Sequence, residues 1–293
     1  MTRRDLVAMA AAGYAPTHPF RLAVCSETFP GVPFPGICRA ARRTGYGGLE
    51  IDPSNLGEDP AALPPAERRE LRDRMLEAGI DYVGLHSFLK TPKGLHVSTP
   101  DNAVRARSWD YVRRLIDLCA DLGERAVMVM GSARQRGATG GSSPADAARR
   151  IEEGLTDLAP SAASRRVTIL LEPLAPHLCD VINSLDEAVA IVKRINSPAI
   201  QSMLDTHNTP AETLPLDQVI RRYFPYIRHV HLNELDGRRP GLGAFPFATV
   251  LQSLKDLRYA GWVSVEVFDF RPDGETVARD AAAYLRGIEK QLR

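Results

Sequence analysis

Four short apolar runs in the second half of the chain each end on a residue type that binds divalent cations. They read Val167-Thr168-Ile169-Leu170-Leu171-Glu172-Pro173, Gln201-Ser202-Met203-Leu204-Asp205-Thr206, Ile227-Arg228-His229-Val230-His231 and Trp262-Val263-Ser264-Val265-Glu266. Glu172, Asp205, His231 and Glu266 lie 33, 26 and 35 positions apart, about one strand-plus-helix unit each. Strands repeated through helical crossovers run parallel, so their ends meet on one edge of the sheet and ligands placed there converge. Three carboxylates and one imidazole form an oxygen-rich, borderline-hard donor set suited to Mn²⁺, Co²⁺ or Mg²⁺.

The remainder of the chain alternates in the same way. Leu22–Cys25, Gly48–Asp52, Tyr82–His86 and Ala126–Met130 read as strands, the last a continuous apolar run as expected when both faces are covered. Helices are expected over Gly36–Thr44, from Pro64-Pro65 to Gly79, from Thr99-Pro100-Asp101 to Gly123, and around Ile151, Leu155 and Leu158. In the second half they are expected near Leu185–Ile195, Leu216–Tyr223, Phe247–Arg258 and Val277–Leu292. Eight such units with no second composition regime imply an α/β chain folded as a single (β/α)₈ TIM barrel over 21–293. A doubly wound open sheet would use a glycine-rich turn after its first strand, and Cys25-Ser26-Glu27-Thr28-Phe29 has none.

Composition narrows the function. A chain of 293 residues with 44% hydrophobic and 25% charged residues suits one barrel, and at a net charge of +1 no basic excess points to nucleic acid. No apolar run approaches the roughly 20 residues of a membrane span. Cys25, Cys38, Cys119 and Cys179 are scattered without a paired motif and read as free thiols. Residues 1–20 stand apart. Arg3-Arg4 before Ala8-Met9-Ala10-Ala11-Ala12 is either a packing or fraying leader, giving a cytoplasmic protein, or a twin-arginine-like signal, giving an exported one.

Motifs in the second half carry a family resemblance. Leu171-Glu172-Pro173-Leu174, Leu204-Asp205-Thr206-His207-Asn208, His229-Val230-His231-Leu232-Asn233-Glu234 and Gly261-Trp262-Val263-Ser264-Val265-Glu266 resemble the xylose isomerase-like barrels grouped as sugar phosphate isomerases/epimerases, D-tagatose 3-epimerase among them. Gly237-Arg238-Arg239-Pro240-Gly241-Leu242-Gly243 is similar to the family's Pro-Gly-x-Gly loop. The resemblance implies that Glu172, Asp205, His231 and Glu266 bind one divalent cation, Mn²⁺ foremost, with Co²⁺, Mg²⁺ and Zn²⁺ as alternatives. It also implies a small carbohydrate substrate and is compatible with a homo-oligomer. The chain departs from the ketose epimerases at three places. It has Asn208 for a His after the metal Asp, Leu178 for a Glu, and Gly237, with Arg238 beside it, for a loop arginine.

The expected chemistry follows from the donor set. A cation chelated by two vicinal sugar oxygens acidifies the neighbouring C–H and holds an enediolate, while one carboxylate within about 3 Å removes the proton and a second acid returns one. Glu172 and Glu266, from strands five and eight, are the candidate pair. His86, His207, Asn208, Arg136 and Arg238 are candidate substrate contacts, His229 a satisfied core histidine, and His177 and Glu234 outer supports. The leading function is a metal-dependent sugar isomerase or epimerase. A lyase using the same metal, of the inosose or 3-dehydroshikimate dehydratase kind or cleaving 3-oxo-glycosides, is the alternative, and a non-catalytic sugar-binding barrel comes third.

Overall fold

The structure is a computed structural model that describes residues 19–293. The twin-arginine-like segment lies outside the described residues. Eight parallel strands close into a barrel in sequence order: β1 Arg21–Cys25, β2 Gly48–Ile51, β3 Asp81–His86, β4 Val127–Met130, β5 Thr168–Leu171, β6 Ile200–Asp205, β7 Ile227–Leu232 and β8 Trp262–Val265. A helix follows each strand: α1 Phe34–Arg43, α2 Pro65–Ala78, α3 Asn102–Leu122, α4 Pro144–Ser164, α5 Leu185–Ile195, α6 Leu216–Tyr223, α7 Phe247–Asp256 and α8 Gly274–Glu289. The expected (β/α)₈ architecture is the observed one.

Element ends follow local chemistry. Asp101, Ser143, Ser184 and Asp273 each accept a backbone N–H of the first turn of α3, α4, α5 and α8. Capped by Asp273, α8 starts at Gly274, three residues before the expected Val277. Arg258 turns left-handed at φ +56° after α7 has ended at Asp256, two residues short of the expected end.

Side chains alternate between the helix layer and the barrel interior with period two. Val129, Leu170 and Met203 form a separate buried cluster inside the barrel. Two residues farther along each strand come Gly131, Glu172 and Asp205, so the alternation that buries the apolar layer aims the carboxylates into the mouth above it. Asp205 pairs in register with His231, and His231 with Ser264, which places the three strand ends at one level.

Candidate metal centre

Glu172, Asp205, His231 and Glu266 each offer one ligand atom, and the four atoms lie within 4.8 Å of one another. All four residues are buried. Burial, then the charges of Glu172 and Glu266, push the Asp205 carboxyl well above the usual carboxylate range, and burial with the Glu266 charge raises Glu172. Burial works the same way on Glu266, but the His231 and His86 imidazoles beside it hold it low. Three carboxyls crowd His231, with His86 against Glu266, and the mutual repulsion that raises Asp205 and Glu172 is what a divalent cation would relieve. Gly131 leaves space for the arrangement: a Cβ there would run into Glu172 Oε2. The donor set, its closeness and this cradle fit a divalent metal.

Two other ligand-like clusters, Cys25–Glu50–His231 and Cys25–Glu27–His86, depend on Cys25. Its thiol is fully buried, and burial together with Glu50 and Glu27 raises it far above its ordinary value, so it keeps its proton and is a poor ligand. The four-residue cluster is the stronger candidate for a metal centre.

The groups around it are strongly engaged. Asn208 donates to Asp205 Oδ2 at 2.7 Å and Glu172 Oε1 at 3.1 Å, while its own oxygen accepts the Ala175 N–H at 2.8 Å. His207 donates its backbone N–H to Asp205 Oδ1, and its ring stands edge-on to His177 and Phe268. Glu234 accepts the backbone N–H groups of Gly241 and Phe245, tying down the loop after β7. His86 Nε2 is 2.8 Å from Glu27 Oε2, and its Nδ1 is 3.2 Å from Glu266 Oε1. These partners hold its imidazole above the ordinary range against the effect of burial.

One expected rim arginine is buried and the other stays at the rim. Arg136, read as a rim arginine, is fully buried, with Nη1 donating to Met130 O at 2.6 Å and Nη2 to the carbonyls of Val181 and Ile182. It stitches the end of β4 to the loop after β5. Arg238 is half exposed, and its guanidinium is held by Asp236 at 2.7 Å. His229 is a satisfied core histidine, 2.8 Å from Glu50 Oε2.

Four residues of the site went unread in the sequence. Glu27 is the partner of His86, Glu50 lies beneath His231, and Lys90 reaches Asp52 at 2.9 Å on the rim formed by the loops after β2 and β3. The available signal was ionisable residues at or just beyond the ends of strands covered on both faces.

The described helices include none long and apolar enough to cross a membrane. A family model described as xylose isomerase-like TIM barrel matches residues 38–288. D-psicose 3-epimerase of Agrobacterium fabrum is 27% identical over 231 residues, 77% of this chain and 76% of that one. Among solved structures, D-psicose 3-epimerase with D-tagatose from Clostridium cellulolyticum H10 superposes with a TM-score of 0.80 at 20% identity, covering 94% of this chain and 100% of that one. The 3-keto-D-glucoside 4-epimerase from E. coli superposes with a TM-score of 0.79 at 20% identity, covering 92% and 99%.

Proposed function

The chain belongs to the xylose isomerase-like TIM barrel family, and within it we propose that the protein is a divalent-metal-dependent epimerase or isomerase of a keto sugar or sugar derivative. The observation that carries the reading is the buried convergence of Glu172, Asp205, His231 and Glu266 on one point. A bound divalent cation would polarise a substrate carbonyl and stabilise negative charge developing beside it.

The chain's own groups supply the proton chemistry. Glu172 and Glu266 arise three strands apart around the barrel, so their carboxylates approach a substrate at the centre from different directions. One removes the proton next to the carbonyl, and the other delivers a proton to the opposite face or to the neighbouring carbon. Their environments differ: burial and the Glu266 charge raise the Glu172 carboxyl, whereas the His231 and His86 imidazoles beside Glu266 hold it low against its burial. Asn208 keeps Glu172 and Asp205 in place.

Asn208 is committed to those two carboxylates, Arg238 to Asp236, and Leu178 is 41% exposed where the ketose epimerases have a glutamate. These departures argue against a free ketose and favour a substituted sugar as substrate. The test is turnover in D₂O of a panel of free ketoses, sugar phosphates and 3-oxo-glycosides, with products identified by NMR. Solvent deuterium on a carbon next to the carbonyl in a stereoisomer or positional isomer supports the reading. Loss of a substituent would assign a lyase, and no turnover on any member would favour a sugar-binding barrel.

A further inference from the structure

Beneath the metal centre, a carboxylate from the far side of the barrel faces the rear of one ligand. Glu50 is the third residue of β2, two positions after Gly48, and by the alternation of the strand it points into the barrel. It is fully buried, and both its oxygens lie 3.1 Å from His231 Nε2, while Oε2 also takes His229 Nε2 at 2.8 Å. The other nitrogen of His231, Nδ1, faces the centre and lies 3.1 Å from Glu266 Oε2. We propose that Glu50 is a positioning residue for the metal. By accepting the Nε2–H of His231 it fixes the tautomer and ring orientation that present the Nδ1 lone pair to the cation, and its charge strengthens that nitrogen as a donor.

The physical case rests on what a buried carboxylate requires. An ionised carboxylate accepts hydrogen bonds and cannot donate them, so the two imidazole nitrogens facing Glu50 must both carry protons. A neutral imidazole protonated at Nε2 has its lone pair on Nδ1. Taking a carboxylate fully out of water is costly, and an apolar side chain in β2 would pack without that cost. His229 alone would need one oxygen, whereas the geometry turns both toward His231. Groups that hold the outer nitrogen of a ligating histidine typically change metal affinity 10–100-fold when removed.

This inference rests on the metal-centre reading, and the experiment separates the two. Mn²⁺ affinity is measured by EPR of free Mn²⁺ for the wild type, Glu50→Gln and Glu50→Leu, with Leu49→Ala as a control that disturbs the same strand. Thermal melts show whether each variant is folded. The expected result is roughly 10–100-fold weaker binding in folded Glu50→Leu, a smaller loss in Glu50→Gln, and unchanged affinity in Leu49→Ala even where its melting temperature falls. Should Glu50→Leu fail to fold, Glu50→Gln, which keeps volume and one acceptor, carries the comparison. In parallel, long-range ¹H–¹⁵N spectra of the Zn²⁺-loaded wild type should show His231 protonated at Nε2 and metal-bound through Nδ1. Wild-type affinity in the folded Glu50 variants, or ligation of His231 through Nε2, overturns the positioning role and leaves the metal centre standing. A wild type that binds neither ion overturns both.

Discussion

Asn208 donates its side-chain amide to Asp205 at 2.7 Å, and the same nitrogen reaches Glu172 at 3.1 Å. The Ala175 N–H fixes the orientation by bonding the amide oxygen, so the NH₂ group must face the carboxylates. A neutral donor between two like charges keeps them close together without competing for the cation. Replacing Asn208 by Ala removes the clamp and leaves the ligands. Isothermal titration with Mn²⁺ should show about 10–100-fold weaker binding. Unchanged affinity would assign Asn208 another task.

Gly131 bears on the same carboxylate from β4. A methyl group there collides with Glu172 Oε2, so Gly131→Ala must displace the Glu172 carboxylate. The expected outcome is a folded barrel by circular dichroism with sharply reduced metal content. Full metal content would show that the carboxylate can shift without leaving the site.

Arg136 should behave as a structural group. Its guanidinium is fully buried and bonds three backbone carbonyls, and Arg136→Met removes a charged donor from each, leaving Ile182 O only the Leu174 N–H. A stability loss of about 3 kcal/mol is expected in urea unfolding. KM for a turned-over substrate should change little, whereas a large rise in KM at normal stability would return Arg136 to the substrate.

Acid should empty the centre. Burial and neighbouring carboxylates raise Asp205 and Glu172, so these groups take up protons at a higher pH than ordinary carboxyls, which titrate near 4. Protons compete with the cation, so affinity is complete above the raised values and falls as pH drops through them. Mn²⁺ affinity measured from about pH 8 to about pH 4 should begin to decline well above the ordinary carboxyl range. A flat profile down to about pH 4 would contradict the assignment of these carboxyls as ligands.

The barrel was legible because apolar runs and helix signals alternate along the whole chain, and the candidate ligands because each tips one run. Period two then does the rest: Leu170 and Met203 pack inside the barrel, and Glu172 and Asp205 follow at the mouth. Glu50 escaped notice because its partners lie 179 and 181 positions away, and a carboxylate near a strand end does not by itself reveal them. Arg136 was misplaced for a related reason. Its glycine-rich surroundings look like surface loop, while the carbonyls that bury it at Val181 and Ile182 arrive 45 and 46 positions later. Contacts of that range are set by barrel closure, which local sequence does not express.

The central claim is that Glu172, Asp205, His231 and Glu266 hold one divalent cation, and elemental analysis of chelator-free protein tests it most directly. About one Mn²⁺, Co²⁺, Mg²⁺ or Zn²⁺ per chain is expected in the wild type, with most of it lost in folded Asp205→Asn and His231→Ala, because each substitution removes a ligand from a four-donor site. A wild type without metal, or both variants retaining wild-type content, would contradict the account.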